Sequence, residues 1–442
     1  MKKAEEIFEK YNILFLLPVV AIYLYSRWQY LGEICYYMHI DELKAAYDSM
    51  SLAKYGNTSQ HSLYIVAAAL LMKLKGGVFS LKLFRLINVA GGLFGLIFSY
   101  LTVIEMTGKK KNAFVEAMLY ATLPVFFISQ RAGLGEYLFL EIIPAAYWLL
   151  LVAFRTKKKF CYALSTLIFA VITLFSGVLD QSFGFANIPA NIRNILALVW
   201  DDGHPFNISQ TFGTIYIFSL IPLAAGVIVT LIRLVTAVKT RSYDSSIILW
   251  IYTVSCVIFG LLCANADTRA CNGLFFAVSL LICEGLIYIS DNLKGALIIE
   301  IAVYLICFKF FTYYYYENFN SEVNNSADHE AGIVVDKSVG EAVKVSLKEL
   351  PGKDISIITD NFEGRNMMIA LFGGASPDEY STFSDSDSFS FGNIRVNTGS
   401  EYDTGGNTVY IINQAEHQDI IDSLTNQGFG NLYLKEYTIC YP

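Results

Sequence analysis

Apolar stretches dominate the first three quarters of the chain. They run at 13–31, 84–106, 112–129, 136–154, 160–179, 213–235, 246–264, 271–289 and 295–312. A helix of about 18 or more such residues crosses roughly 30 Å of hydrocarbon, so each stretch is a predicted transmembrane helix, nine in all. The run 62–72 is too short to cross and is predicted as an interfacial or re-entrant helix. After Tyr316 the pattern becomes polar. Short strand-like runs occur at 332–335, 355–359 and 408–412, with amphipathic helical stretches at 338–350 and 416–427. That order predicts a small α/β domain. Residues 384–406, rich in Ser, Gly, Asp and Asn, are expected to be a loop. The predicted fold class is therefore a mainly α polytopic membrane protein with a small C-terminal extracytoplasmic α/β domain. The boundaries are 1–316 for the transmembrane part and 317–442 for the outer part.

Charge orients the spans. Lys2 and Lys3 precede the first. Lys109–Lys111 follow the second, and Arg155 with Lys157–Lys159 follow the fourth. Arg233, Lys239 and Arg241 end or follow the sixth, and Lys294 follows the eighth. Nine spans put all five basic patches on one side, which the positive-inside rule makes the cytoplasm. The loops 32–83, 130–135, 180–212 and 265–270, and everything after 313, then lie outside an inner or plasma membrane. The charged N-terminus leads into its apolar run with no small-residue cleavage site, so a retained first helix is expected.

Composition agrees. Only 16% of residues are charged, against about 25% in soluble domains, and mean hydropathy is +0.46. A net charge of −7 argues against a nucleic-acid partner, which needs a basic surface. The eight cysteines show no CxxC pair, and most fall in apolar runs, where they act as small hydrophobes.

The first outer loop carries His39-Ile-Asp41-Glu42, then residues that read as a helix stopping at Gly56. Carboxylates at a helix start are favoured by the macrodipole. Neighbouring helical residues point about 100° apart, so Asp41 and Glu42 would serve different ends. From spacing alone the pair reads equally as a helix cap with an acidic neighbour, or as a base with a supporting acid. Other polar groups sit at outer span ends. Glu136 is the only acid in 128–140, and Glu141 lies about 7.5 Å deeper along a helix, either lining a cavity or hydrogen-bonded within the bundle. Arg85, Arg131 and Arg269 can bind phosphate through paired hydrogen bonds or anchor at the interface. Asn187, Asn191, Arg193 and Trp200 to Asn207 suit sugars or a capped turn. His204 beside Asp201 and Asp202 leaves a divalent cation open, and no other cofactor is indicated. Tyr313–Tyr316 suit an aromatic belt.

The stretch from Asp41 to Gly56 resembles the first-loop motif of GT-C membrane glycosyltransferases, which include protein O-mannosyltransferases and bacterial aminoarabinose transferases. Arg85-Leu86 opening the second span, and Leu123-Pro124 running into Ser129-Gln130-Arg131, are similar to the family as well. The resemblance covers about residues 10–310 and implies a polyprenyl-phosphate-linked sugar as donor and an extracytoplasmic acceptor. It implies Asp41 as catalytic base, Glu42 in support, and Glu136 or Glu141 as a second acid. Arginines would hold the departing phosphate. The short stretch Asn57–Leu63 departs from the family and bears on acceptor recognition. Inverting single displacement follows from this picture. A transporter or flippase, or a non-catalytic membrane protein that binds the cell envelope, are the competing classes.

Overall fold

The computed structural model describes residues 2–34, 36–58, 62–175, 182–199, 211–293, 295–326, 332–360, 362, 364–398 and 407–442. The chain opens with helix α1 (Lys2–Trp28), strand β1 (Tyr37–His39), α2 (Ile40–Tyr55) and α3 (Leu63–Leu74). Helices α4 (Leu81–Thr107), α5 (Lys110–Thr122), α6 (Pro124–Arg131), α7 (Gly135–Thr156), α8 (Lys159–Phe175) and α9 (Ile188–Ala197) follow. Next come α10 (Leu220–Thr240), α11 (Ser245–Leu262), α12 (Asn272–Asn292) and α13 (Ala296–Asn324). The remainder runs β2 (Val334–Asp336), α14 (Ser338–Glu349), β3 (Asp354–Ile358), α15 (Arg365–Gly373), α16 (Pro377–Phe383), β4 (Phe389–Phe391), β5 (Ile394–Asn397), β6 (Thr408–Asn413), α17 (Gln418–Asn426), β7 (Gly430–Leu434) and β8 (Tyr437–Tyr441).

Two compact units result. The first comprises Met1–Leu31 and Arg85–Glu322, the second Gly32–Phe84 and Val323–Pro442. The segment after α1 thus folds with the C-terminal part, a partition that apolar patterning does not reveal.

Each predicted span coincides with a helix, or with the pair α5 and α6, over most of its described residues. Among the described residues, six helices are long and apolar enough to cross a membrane, or seven if α5 and α6 form one span bent by 55°. The stretches Ile13–Trp28 and Lys159–Ile172 are apolar but shorter. The bend falls at Leu123-Pro124, where proline cannot continue the α5 hydrogen-bond ladder. The backbone groups released there are taken up inside the protein. Val125 N–H donates to the Thr214 carbonyl at 3.1 Å, and the Tyr216 hydroxyl to the Thr122 carbonyl at 2.8 Å.

Small residues let these helices approach closely. A Cβ on Gly226 of α10 would overlap the Leu281 carbonyl of α12, and one on Gly285 of α12 would overlap the Pro222 carbonyl. Gly92 and Gly95 of α4 face the Tyr23 hydroxyl, Gln130, the Tyr120 hydroxyl and Glu141 in the same way. Helix α13 runs past the expected end of its span to Asn324, so Tyr315 and Tyr316 turn inward while Tyr313 stays exposed. Only part of that tyrosine run suits an interfacial belt.

The second unit holds a six-stranded sheet in the order β4-β5-β3-β6-β8-β7, with β3 parallel to β5 and β6. The interior strands β3, β6 and β8 are buried along nearly all their length, as strands covered on both faces must be. Ile420, Ile421 and Leu424 of α17 pack on Ile358, Tyr410, Ile412 and Cys440. The predicted runs at 332–335, 355–359 and 408–412 correspond to β2, β3 and β6, and the two helical stretches to α14 and α17. The expected loop 384–406 is corrected in part. Phe389/Phe391 and Ile394/Val396 alternate around Gly392-Asn393, a two-residue turn pair, and form the antiparallel hairpin β4–β5. A second small sheet pairs β1 with β2, Met38 opposite Val335. No disulfide joins the described cysteines.

Replacing Gly285 with Val should destabilise the bundle by about 3 kcal/mol, since neither helix backbone can yield. Thermal unfolding in detergent reads this as a lowered midpoint. Gly184→Ala, where only Asn187 Nδ2 lies within reach at 3.8 Å, should leave the midpoint unchanged.

Candidate active site

In the second unit, α2 begins one residue earlier than the pattern implies. His39 is the N-cap, its Nδ1 accepting from the Asp41 backbone N–H at 3.1 Å. Asp41 is therefore inside the first turn rather than the cap itself. The same Nδ1 lies 3.4 Å from Asp41 Oδ2. Gly56 closes the helix in the left-handed conformation at φ 74°, its N–H returning to the Leu52 carbonyl.

The two carboxylates diverge as helical geometry requires. Glu42 is fully buried, whereas the Asp41 side chain is 43% exposed, with Lys44 Nζ 3.9 Å from its Oδ1. Asp41, Lys44 and Asp48 recur at three- and four-residue intervals and so share one face. Asp48 Oδ1 accepts from the Thr58 hydroxyl at 2.9 Å, drawing the segment after Gly56 back along α2.

Helix α2 is clamped to the end of α15. The Lys54 ammonium donates to the Gly374 carbonyl at 3.0 Å, and the Tyr55 hydroxyl donates to the same oxygen. The Tyr47 hydroxyl donates to the Ala375 carbonyl at 3.3 Å. These are carbonyls a helix end leaves without intrahelical partners. At the other end Gly364 sits at φ 80°, and a Cβ there would come within 3.0 Å of Ile40. Burial raises the Tyr47 phenol above its ordinary pKa, and burial followed by the Asp385 charge does the same for Tyr380, so both stay neutral donors.

In the first unit, Glu136 and Arg269 come together. Arg269 Nη2 lies 3.0 Å from Glu136 Oε1, with 19% and 33% of their side chains exposed. Asn272 Nδ2 donates to the Glu136 carbonyl at 3.2 Å. The pair borders a cavity of about 520 Å³ whose walls are mostly apolar: Phe139 and Ile143 of α7, Phe169 of α8, and Tyr252 and Phe259 of α11. Asp267 adds a second acid at the rim and accepts from the Ala270 N–H at 2.7 Å. Asn191, one of the predicted polar residues, braces this turn. Its Nδ2 donates to the Cys263 carbonyl and its Oδ1 accepts from the Ala266 N–H.

The other predicted residues stand elsewhere. Arg131 is buried, and its Nη1 donates to the carbonyls of Ser26, Arg27 and Gln29 at 2.8–3.1 Å. Its guanidinium also lies over the rings of Phe127, Tyr315 and Tyr316. That geometry makes Arg131 a clamp on the end of α1. Glu141 is fully buried, its Oε2 accepting from the Tyr120 hydroxyl and from Gln130 Nε2 within the bundle. Arg27, which sequence reasoning did not single out, donates to Gln130 Oε1 at 3.0 Å in the same network. Arg85 is fully buried in α4.

Trp200 to Asn207, with Asp201, Asp202 and His204, lie outside the described residues. A group able to hold a cation occurs instead where β3 and β6 end. Asp360, Glu416 and His417 each offer one ligand atom within 4.8 Å of the others.

Two solved structures are similar to the chain: ArnT from Cupriavidus metallidurans bound to undecaprenyl phosphate, and the same protein in its apo state. They are 11% identical to this chain, cover 98% and 97% of it and 98% of their own length, and superpose with a TM-score of 0.46 in each case. No protein-family profile and no curated protein matches.

Arg131 and Arg269 should separate in their consequences. Arg131→Met strands two buried carbonyls and a part-buried one, and a stability loss on the order of 3 kcal/mol should lower the unfolding midpoint in detergent. Arg269→Met breaks a partly exposed pair worth about 1 kcal/mol or less, and should leave that midpoint nearly in place.

Proposed function

We propose that the protein is an integral membrane glycosyltransferase of GT-C type, which moves a sugar from a polyprenyl-phosphate carrier to an extracytoplasmic acceptor. The observation that carries this is the Asp41 carboxylate. It is half exposed on the first turn of a helix whose residues match the family's first-loop motif, and it is flanked by Lys44. Its neighbour Glu42 is buried, as a supporting rather than reacting acid would be.

In this reading Asp41 takes the proton of the acceptor hydroxyl as that oxygen attacks the anomeric carbon. The bond from that carbon to the lipid phosphate breaks on the opposite face, so configuration inverts. A partly exposed carboxylate suits a base that must reach solvent and substrate alike. The leaving phosphate gains negative charge and needs a fixed cation. Within the first unit, Arg269 is our candidate for such a cation. Glu136 orients its guanidinium, and the apolar cavity beside them suits an isoprenoid chain. Arg85 stays a lesser candidate for the phosphate.

The nine apolar helical stretches, with α5 and α6 as one bent span, all cross the membrane. The N-terminus is cytoplasmic, and the part after 316 is extracytoplasmic. The positive-inside pattern supports this orientation. No nucleotide-binding loop is needed, because the lipid phosphate supplies the activated bond.

A transporter is the second reading. The break at Leu123-Pro124 favours it, since transporters bind substrates at broken helices. At this break the released groups are held by Thr214 and Tyr216, which speaks for a braced kink rather than a binding site.

Asp41→Asn keeps the shape of the side chain and removes the base. Sugar transfer to an envelope extract should fall at least about a hundredfold, with the unfolding midpoint unchanged. Retained transfer would remove Asp41 from the mechanism. Transport of a lipid-linked sugar undiminished by the same change would favour the second reading.

A further inference from the structure

Resting on the transferase reading, we infer that the cleft between α2 and α15–α16, polar in its larger part, is the acceptor subsite, and that it takes a hydroxyl-rich glycan. The cleft consists of two adjoining hollows of about 560 and 440 Å³ within the second unit. Lys44, Met367, Tyr380 and Ser384 line both hollows. Lys44 also stands 3.9 Å from Asp41, so the cleft begins beside the proposed base.

Its chemistry is that of a sugar site. Phe362 is a large hydrophobic side chain left 36% exposed at the edge of a polar hollow, and Tyr380 presents a second ring. Aromatic faces pack against the C–H faces of pyranose rings. Lys44, Ser384 and Asp385 supply donors and acceptors for hydroxyls. The smaller hollow adds apolar surface from Tyr47, Met367 and Pro377, against which sugar C–H faces can also pack.

The walls are fixed before any ligand arrives. Asn366 Nδ2 donates to the carbonyls of Phe383, Ser384 and Ser386 at 2.9–3.0 Å. Arg365, fully buried, donates to the carbonyls of Ser386 and Asp387 from behind. Tyr47 and Tyr380 meet with ring centroids 4.9 Å apart. The clamp of α2 onto Gly374 and Ala375 holds the other wall. Walls fixed by their own hydrogen bonds and ring contacts are preorganised for binding.

The test uses full-length protein in nanodiscs, with chitotetraose and mannotetraose labelled at the reducing end. Binding is followed by saturation-transfer NMR, and extension by transfer from a labelled polyprenyl-phosphate sugar. At least one tetrasaccharide should bind and be extended. Met367→Trp, which fills the cleft, should raise its KM at least about tenfold with kcat within about twofold, and Asp385→Ala, at an exposed position, should raise KM more modestly. Asp41→Asn should abolish extension and leave binding intact. If transfer proceeds while both cleft variants keep the wild-type KM, the subsite assignment is wrong and the transferase reading stands. If neither sugar binds or is extended, although transfer to an envelope extract continues, the assignment also falls. If a tetrasaccharide binds in the cleft but no donor yields transfer to any acceptor, the transferase reading fails and the acceptor role fails with it.

Discussion

A buried guanidinium sets the frame of the first unit. Arg131 holds the carbonyls of Ser26, Arg27 and Gln29 where α1 ends, and stacks on rings from α6 and α13. A helix end in an apolar setting cannot leave its carbonyls bare, because no water is present to take them up. One arginine solves this for α1 and ties three helices together. Arg27 then reaches Gln130, Gln130 reaches Glu141, and Glu141 accepts from Tyr120, so these buried groups form one connected network. Gly92 and Gly95 are required by it, since any side chain there would fill the space of those polar groups.

The second unit follows the same logic at a different scale. Helix α2 needs an N-cap and a C-terminal turn, which His39 and Gly56 supply. It also covers the exposed carbonyls at the end of α15 through Tyr47, Lys54 and Tyr55. These bonds join residues more than 300 apart in sequence, which explains why the segment after α1 belongs with the C-terminal part. Asp41 gains a fixed position from the arrangement without being consumed by it.

Much of this is legible in the sequence and some is not. The long apolar runs announce their helices, because burying some 18 residues at once leaves an unmistakable pattern. The Asp41–Gly56 helix is legible through its acids and its glycine stop. The pairing of Glu136 with Arg269 is not, since only the fold brings residues of α7 and the α11–α12 turn together. Arg131 looks like any arginine at a span end, and only the fold brings the carbonyls of Ser26, Arg27 and Gln29 to it. The hairpin β4–β5 hides in a polar stretch because its strands span only three and four residues. Ser376-Pro-Asp-Glu379 is a readable capping box, and would have announced α16 and with it one wall of the cleft.

The central claim is that this chain takes sugar from a lipid phosphate rather than moving the lipid itself. The direct measurement incubates purified protein with polyprenyl phosphate carrying a radiolabelled sugar, beside a matched nucleotide sugar, and follows the label together with the released lipid phosphate. The account predicts label in acceptor and free polyprenyl phosphate in equal amounts from the lipid donor, and none from the nucleotide. Label that stays on the lipid, or moves only from the nucleotide sugar, would contradict it.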